Sequence, residues 1–111
     1  MSKNISNKPL KKLLHLVNNK FKFEIIFLLS KNKLRFGELK TNLESITQQL
    51  LAKLLKELER DNIINRRVYD GFPRKVEYSL TLFGRSLQPV TNFMLKWEKK
   101  NIKNINKLLK K

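Results

Sequence analysis

The chain has no cysteine. Thiolate nucleophiles, cysteine zinc sites, disulfides and thiol redox sensing are therefore outside its chemistry, and a reducing, cytoplasmic location is expected. Histidine occurs once, as His15, on a short amphipathic stretch without a second histidine or an acidic cluster. Neither a metal nor any other cofactor is expected from it, and a general base would lack partners. The three glycines, Gly37, Gly71 and Gly84, are scattered and make no phosphate-cradling loop. No apolar run approaches the roughly 18 to 20 residues that span a bilayer, because Phe21–Leu29 is interrupted by Lys22 and Glu24. Residues 1–9 carry Lys3 and Lys8 but no apolar signal-peptide core. Acidic residues are also scarce, and Glu57 and Glu59 lie beside Lys56 and Arg60, where they read as helix charge pairs and not as a catalytic dyad. No enzyme is expected.

What is abundant is positive charge. Against nine Asp and Glu stand 25 Lys and Arg, a formal net charge of +16. Such a surplus repels itself in the folded state and points to a polyanionic partner, nucleic acid first and anionic lipid second. A Lys- and Asn-rich composition would also follow from codon usage in an A/T-rich genome, so charge alone does not decide the matter. With 111 residues, 41% of them hydrophobic and seven of them Phe, the chain has material for one core. A single domain over 1–111 is expected.

Periodicity divides that domain. Pro9 can open a helix in which Leu10, Leu13, Leu14 and Val17 form one apolar stripe. A more apolar helix should run from Lys20 to Ser30, with Phe23, Ile26, Phe27 and Leu28 or Leu29 as buried candidates. Leu34–Phe36 suits a short strand, and Gly37–Leu43 a short helix. After a turn at Glu44 and Ser45, Thr47 is placed to cap a helix ending at Asp61, in which Leu51, Leu54, Leu55 and Leu58 repeat at three and four. Asn62 can take the left-handed conformation that stops it. Ile64–Tyr69 and Lys75–Leu80 are β-branched and aromatic runs around Asp70, Gly71 and Pro73, which predicts a β-hairpin. Thr81 should then cap a long final helix with Leu87, Val90, Met94, Trp97, Ile102, Ile105 and Leu109 on one side, kinked or divided at Pro89.

Two helices joined by a short turn and followed by a basic hairpin describe a winged helix-turn-helix. The fold class is mainly α with a small β-hairpin: an N-terminal dimerisation helix over 1–19, a winged-helix core over 20–81 and a C-terminal dimerisation helix over 82–111. Thr47–Asp61 would be the recognition helix. With its leucines facing the core, Thr47, Gln48, Gln49, Ala52, Lys53 and Lys56 remain outside. Gln can bond adenine N6 and N7 together, Ala can touch a thymine methyl, and Lys can reach guanine or phosphate. Gln48, Gln49 and Lys53 are assigned to base edges, Thr47 and Lys56 to the DNA backbone. In the wing, Arg66, Arg67, Arg74 and Lys75 can meet phosphates, although for Arg66 and Arg67 a pairing with Glu77 competes. Each of these side chains, taken singly, also suits a merely solvated helix or strand face.

Three stretches carry a family resemblance: Leu34-Arg-Phe-Gly-Glu-Leu-Lys40, the block from Ile46 to Ile64, and Phe72-Pro-Arg-Lys-Val-Glu-Tyr-Ser-Leu-Thr81 with Gly84-Arg-Ser-Leu87 after it. From about Leu10 to Trp97 the chain resembles the HxlR-type regulators. The resemblance implies a MarR-like winged-helix homodimer that binds double-stranded DNA at a promoter, with the first and last helices as the dimer interface. The terminal stripes agree with this, because they exceed what one small core needs. Leu10, Leu13, Leu14, Val17, Val90, Met94, Trp97, Ile102 and Ile105 are the expected interface. Phe93, Met94 and Trp97 would also suit a ligand pocket between subunits, so an unidentified small-molecule effector is a possible partner. Many relatives sense oxidants through an N-terminal cysteine, and that chemistry does not carry over. Gly37 stands where Ser is usual, Asn62 where Gly is usual and Gln49 where Lys is frequent. Two rival readings are a nucleoid-type protein indifferent to sequence and a membrane-surface helix over Lys96–Lys111.

Overall fold

The structure, a computed structural model, describes residues 11–110. Pro9 and Leu10 lie outside the described residues. Helix α1 (Lys11–Leu16) is short and buries none of its own residues fully. Val17, just past it, is enclosed in the protomer's core. A side chain already sealed from solvent has no face left for a second subunit, so Val17 is removed from the expected interface.

Asn19 starts α2 (Lys20–Lys31) by accepting a hydrogen bond from the backbone N–H of Phe21 at 2.7 Å. Its inward stripe is Lys22, Ile25, Ile26 and Leu29, spaced at three and four. Phe23 and Phe27, expected in the core, fall beside that stripe and are only half-buried. Ile25 takes the place they were assigned. The stripe begins with a lysine because a carboxylate is waiting for it on another helix, as described below.

Strand β1 (Leu34–Arg35) leads straight into α3 (Phe36–Asn42), where Glu38 reaches back to accept a hydrogen bond from the N–H of Arg35 at 2.8 Å. Helix α4 (Gln48–Arg60) is capped by Thr47, whose hydroxyl accepts from the N–H of Leu50 at 3.0 Å, and it buries Leu51, Leu54, Leu55 and Leu58. Asn62 ends it at φ 61°, in the left-handed region.

Strands β2 (Ile64–Tyr69) and β3 (Lys75–Leu80) pair antiparallel from Ile64↔Leu80 to Tyr69↔Lys75. The hairpin is part of a larger sheet, since β1 adds to the other side of β3 through Leu34↔Tyr78 and Arg35↔Glu77. The order is β1-β3-β2. Facing residues in an antiparallel pair share a side of the sheet. Leu34, Ile64, Val76, Tyr78 and Leu80 therefore meet the helical core together, and Arg35, Asn65, Arg67, Tyr69, Lys75 and Glu77 take the other side.

The expected long final helix is three helices. Thr81 does act as an N-cap, accepting from the N–H of Gly84 at 2.8 Å, but the helix it opens is only α5 (Leu82–Arg85). Helix α6 (Gln88–Lys100) begins afresh with Pro89 in its first turn, where a missing N–H costs nothing. A second break at Asn101, whose side chain donates to the carbonyl of Trp97 at 2.9 Å, separates α7 (Ile102–Leu109). A side chain that competes for its own helix's carbonyls is a common reason for such a stop. Helix α6 packs along α2, and α7 turns back against α6.

Candidate nucleic-acid interface

Helices α3 and α4 are joined by a tight turn. Leu43 and Ile46 anchor it in the core, while Ser45 between them sits at φ 71°. The turn sets the second helix across the first with its polar side outward. All six residues assigned to the recognition surface, Thr47, Gln48, Gln49, Ala52, Lys53 and Lys56, are exposed. At 3.6 residues per turn the side opposite the leucines carries Gln49, Lys53 and Lys56, and spacing places Arg60 in line with them. Gln48 is rotated about 100° from Gln49, toward the margin of the helix. Arg60 was not among the expected residues. Its guanidinium lies 3.2 Å from the carboxylate of Asp61, which raises its already high affinity for a proton.

The orientation of α4 is held from behind by an ion pair. Lys22 Nζ of α2 lies 2.7 Å from Glu57 Oε1, with the lysine side chain 1% exposed and the glutamate 25%. The reading of Glu57 as a partner of Lys56 or Arg60 on its own helix is thus corrected, because its hydrogen-bonded partner comes from a different helix. The hydrogen bond from Lys22 holds the Glu57 carboxyl below its ordinary value of 4.5, against the opposing effect of burial and with help from the charges of Lys22, Lys53 and Arg60. A lysine within an apolar run gave no hint of this contact. The position of Lys22 at the head of the stripe Ile25, Ile26, Leu29 was the available signal.

Hydroxyl chemistry closes the far end of α4. Thr81 Oγ1 lies 2.7 Å from the carbonyl of Asn62 and 3.1 Å from that of Ile63, and the N–H of Thr81 donates to the Ile63 carbonyl at 3.0 Å. Gly84 approaches the same carbonyl so closely that a Cβ there would lie 2.1 Å from the Ile63 oxygen. Only glycine fits.

The wing does not gather its four expected cations on one surface. Arg66 faces Tyr78 and so lies on the core side of the sheet, though exposed, whereas Arg67 and Lys75 lie on the opposite side. There they flank one ring: the Arg67 guanidinium is 4.8 Å from the centroid of Tyr69, and Lys75 Nζ is 5.3 Å from it. Tyr69 in turn donates its hydroxyl proton to Glu77 Oε1 at 2.9 Å, a bond that keeps the phenol protonated to higher pH than usual. Glu77 is thus engaged by the tyrosine, and the expected competition for Arg67 resolves into stacking on the ring. Arg74 is exposed in the loop between the strands. Tyr69 was missed as an organising residue. Strand parity, which puts residues 67, 69, 75 and 77 on one side, would have found it.

On the opposite part of the molecule α2, α6 and α7 border an apolar groove of about 760 Å³. Phe23 and Phe27 form one wall, Phe93, Met94 and Trp97 another, and Ile105 closes one end. Phe93 is 67% and Trp97 53% exposed, and Leu14, Val90 and Ile102 are also exposed. Leu13, by contrast, is half-buried against the protomer's own core. No helix among the described residues is long and apolar enough to cross a membrane.

A three-stranded sheet closed by a basic hairpin, behind a helix-turn-helix with a polar outward stripe, defines a winged helix-turn-helix DNA-binding protein, the architecture of a transcriptional regulator. The chain belongs to the HxlR-like helix-turn-helix family, whose profile matches residues 16–106. It is 43% identical over 100 residues to the HTH-type transcriptional regulator YdeP of Bacillus subtilis, an alignment covering 90% of this chain and 78% of YdeP. It is 41% identical over 103 residues to the HTH-type transcriptional regulator BH0655 of Halalkalibacterium halodurans, covering 92% of this chain and 91% of the relative. Among solved structures it is similar to the redox regulator HypR in its reduced form, with a TM-score of 0.85 and 38% identity over 90% of this chain and 99% of HypR. A MarR-family regulator from Porphyromonas gingivalis W83 superposes with a TM-score of 0.80 at 31% identity, over 85% of this chain and 92% of that one.

Proposed function

We propose that this HxlR-type regulator binds an inverted-repeat operator as a homodimer, with one α4 from each subunit in successive major grooves about 34 Å apart. Gln48 and Gln49, in the first turn of α4, read adenine edges, Lys53 reads a base edge beside them, and Ala52 meets a thymine methyl. Thr47 and Lys56 bind the DNA backbone. In the wing Arg67, Arg74 and Lys75 neutralise phosphates, with Arg66 at the edge of that contact. The observation that carries the reading is the pairing of two uncovered surfaces on one small protomer: the polar stripe of α4 and the apolar side of α6 and α7. The first fits a groove of DNA. The second, made of Val90, Met94, Trp97, Ile102 and Ile105 with Leu13 and Leu14 nearby, fits its own copy, and an unidentified small-molecule effector would bind where the two copies meet.

Selection of bound fragments from a random duplex pool, followed by sequencing, tests this directly. One shared near-palindrome is the expected result, and a pool without any common motif would overturn it. The net charge of +16 favours a second reading, binding to any nucleic acid. Retention of the selected duplex under a large excess of random DNA separates the two. An interfacial lipid role for residues 96–111 is disfavoured, since Ile105 of that segment is turned into the groove beside α2.

A further inference from the structure

Phe72 stands at the apex of the wing with a relative exposure of 103%, touching nothing that would shield it. Single exposed apolar residues are common on protein surfaces. This one differs in its place. The last rung of the hairpin is Tyr69↔Lys75, so Asp70, Gly71, Phe72, Pro73 and Arg74 form a loop that projects past the sheet. Gly71 turns the chain at φ 138°, a conformation that side chains rarely adopt, and Phe72 is the foremost large side chain beyond that turn. Behind the ring come Arg74, then Arg67 and Lys75 braced on Tyr69.

An apolar tip backed by cations matches the minor groove of DNA. The groove is about 6 Å wide, too narrow for a two-stranded ribbon with its side chains but wide enough for one ring on edge. Its rims are phosphates, which the cations at the shoulders of the wing would neutralise, and its floor exposes the edges of stacked bases. Apolar side chains that enter there pry a base step apart and bend the duplex.

We infer that Phe72 is a minor-groove wedge that unstacks a flexible base step at each flank of the operator and bends the DNA toward the protein. The wedge makes the wing a reader of deformability: pyrimidine–purine steps such as TA and CA open most readily, so they are preferred beneath it although no hydrogen bond reports their identity. The inference rests on the reading of the hairpin as the DNA-contacting wing.

The test uses the full chain and duplexes recovered from a random pool, with donor and acceptor dyes at the ends and 2-aminopurine at the step beneath the wing. Wild-type protein should shorten the end-to-end distance and brighten the 2-aminopurine. Phe72→Ala should lose both signals and weaken binding about ten-fold, the loss of one base–aromatic contact, with the salt slope unchanged. Phe72→Leu, which still offers a wedge, should retain most of the bend. Because the ring is exposed, thermal unfolding of each variant should match wild type. If Phe72→Ala bends and binds like wild type while Arg74→Ala lowers the salt slope, the wing contacts DNA and the wedge is refuted. If Phe72→Ala, Arg74→Ala and Lys75→Ala all bind like wild type, the wing reading falls with it.

Discussion

At the scale of single residues, the pair Lys22 and Glu57 is unequal, and the inequality can be measured. Glu57→Gln leaves an ammonium group 1% exposed with no opposite charge, whereas Lys22→Met leaves a carboxylate that still reaches water. Breaking such a pair from the accessible side should cost roughly 3 kcal/mol in urea unfolding, and from the buried side about 1 kcal/mol or less. Equal losses would refute this account. The folded carboxyl of Glu57 lies below its ordinary value of 4.5, so its contribution to stability is complete above that value and disappears as pH falls through the lower, folded one. Glu57→Gln should accordingly flatten the acid side of the stability profile and leave the neutral side's slope unchanged. Gly84 offers a second residue test. An alanine Cβ would meet the Ile63 carbonyl at 2.1 Å, so Gly84→Ala should push α5 away and destabilise the fold by about 2–3 kcal/mol.

Among elements, α4 was the most legible because its leucines repeat without interruption and Thr47 and Asn62 punctuate both ends. The hairpin was legible for a similar reason, its two runs of six residues pairing in the expected register. Other features depend on contacts between distant segments and leave little local trace. The pairing of β1 with β3 requires Leu34 to find Tyr78 across the chain, and the burial of Lys22 requires Glu57. The terminal helices misled because an apolar stripe continues through α5, α6 and α7 even where the backbone breaks, at Ser86–Leu87 and again at Asn101. The outward side of α4 leads to a prediction about specificity. Gln49→Ala and Gln48→Ala should change the sequence logo recovered by selection, Gln49 the more strongly because it sits in line with Lys53 and Lys56. An unaltered logo for both would show that another element reads the bases.

For the molecule as a whole, surplus charge and surplus apolar surface make separate demands. Affinity for a selected duplex should fall steeply with salt, and Arg74→Ala or Lys75→Ala should each reduce the logarithmic slope by about one across all sequences. Self-association should instead respond to the other surface. Trp97 is the single tryptophan and is 53% exposed in the protomer, so dilution of a dimer should shift its emission to the red. Met94→Lys should give that red-shifted spectrum at every concentration and a monomer by light scattering. A wild-type spectrum independent of concentration, with a monomeric mass, would rule out the dimer.

Helix α2 has neighbouring residues with different allegiances: Lys22 is fastened to α4, while Phe23, about 100° around the axis, borders the groove. Groove and α4 are therefore separated by the width of one rod. No relay of intermediate side chains is needed between them, for a rod that rolls to admit a guest on one side must drag its tether on the other.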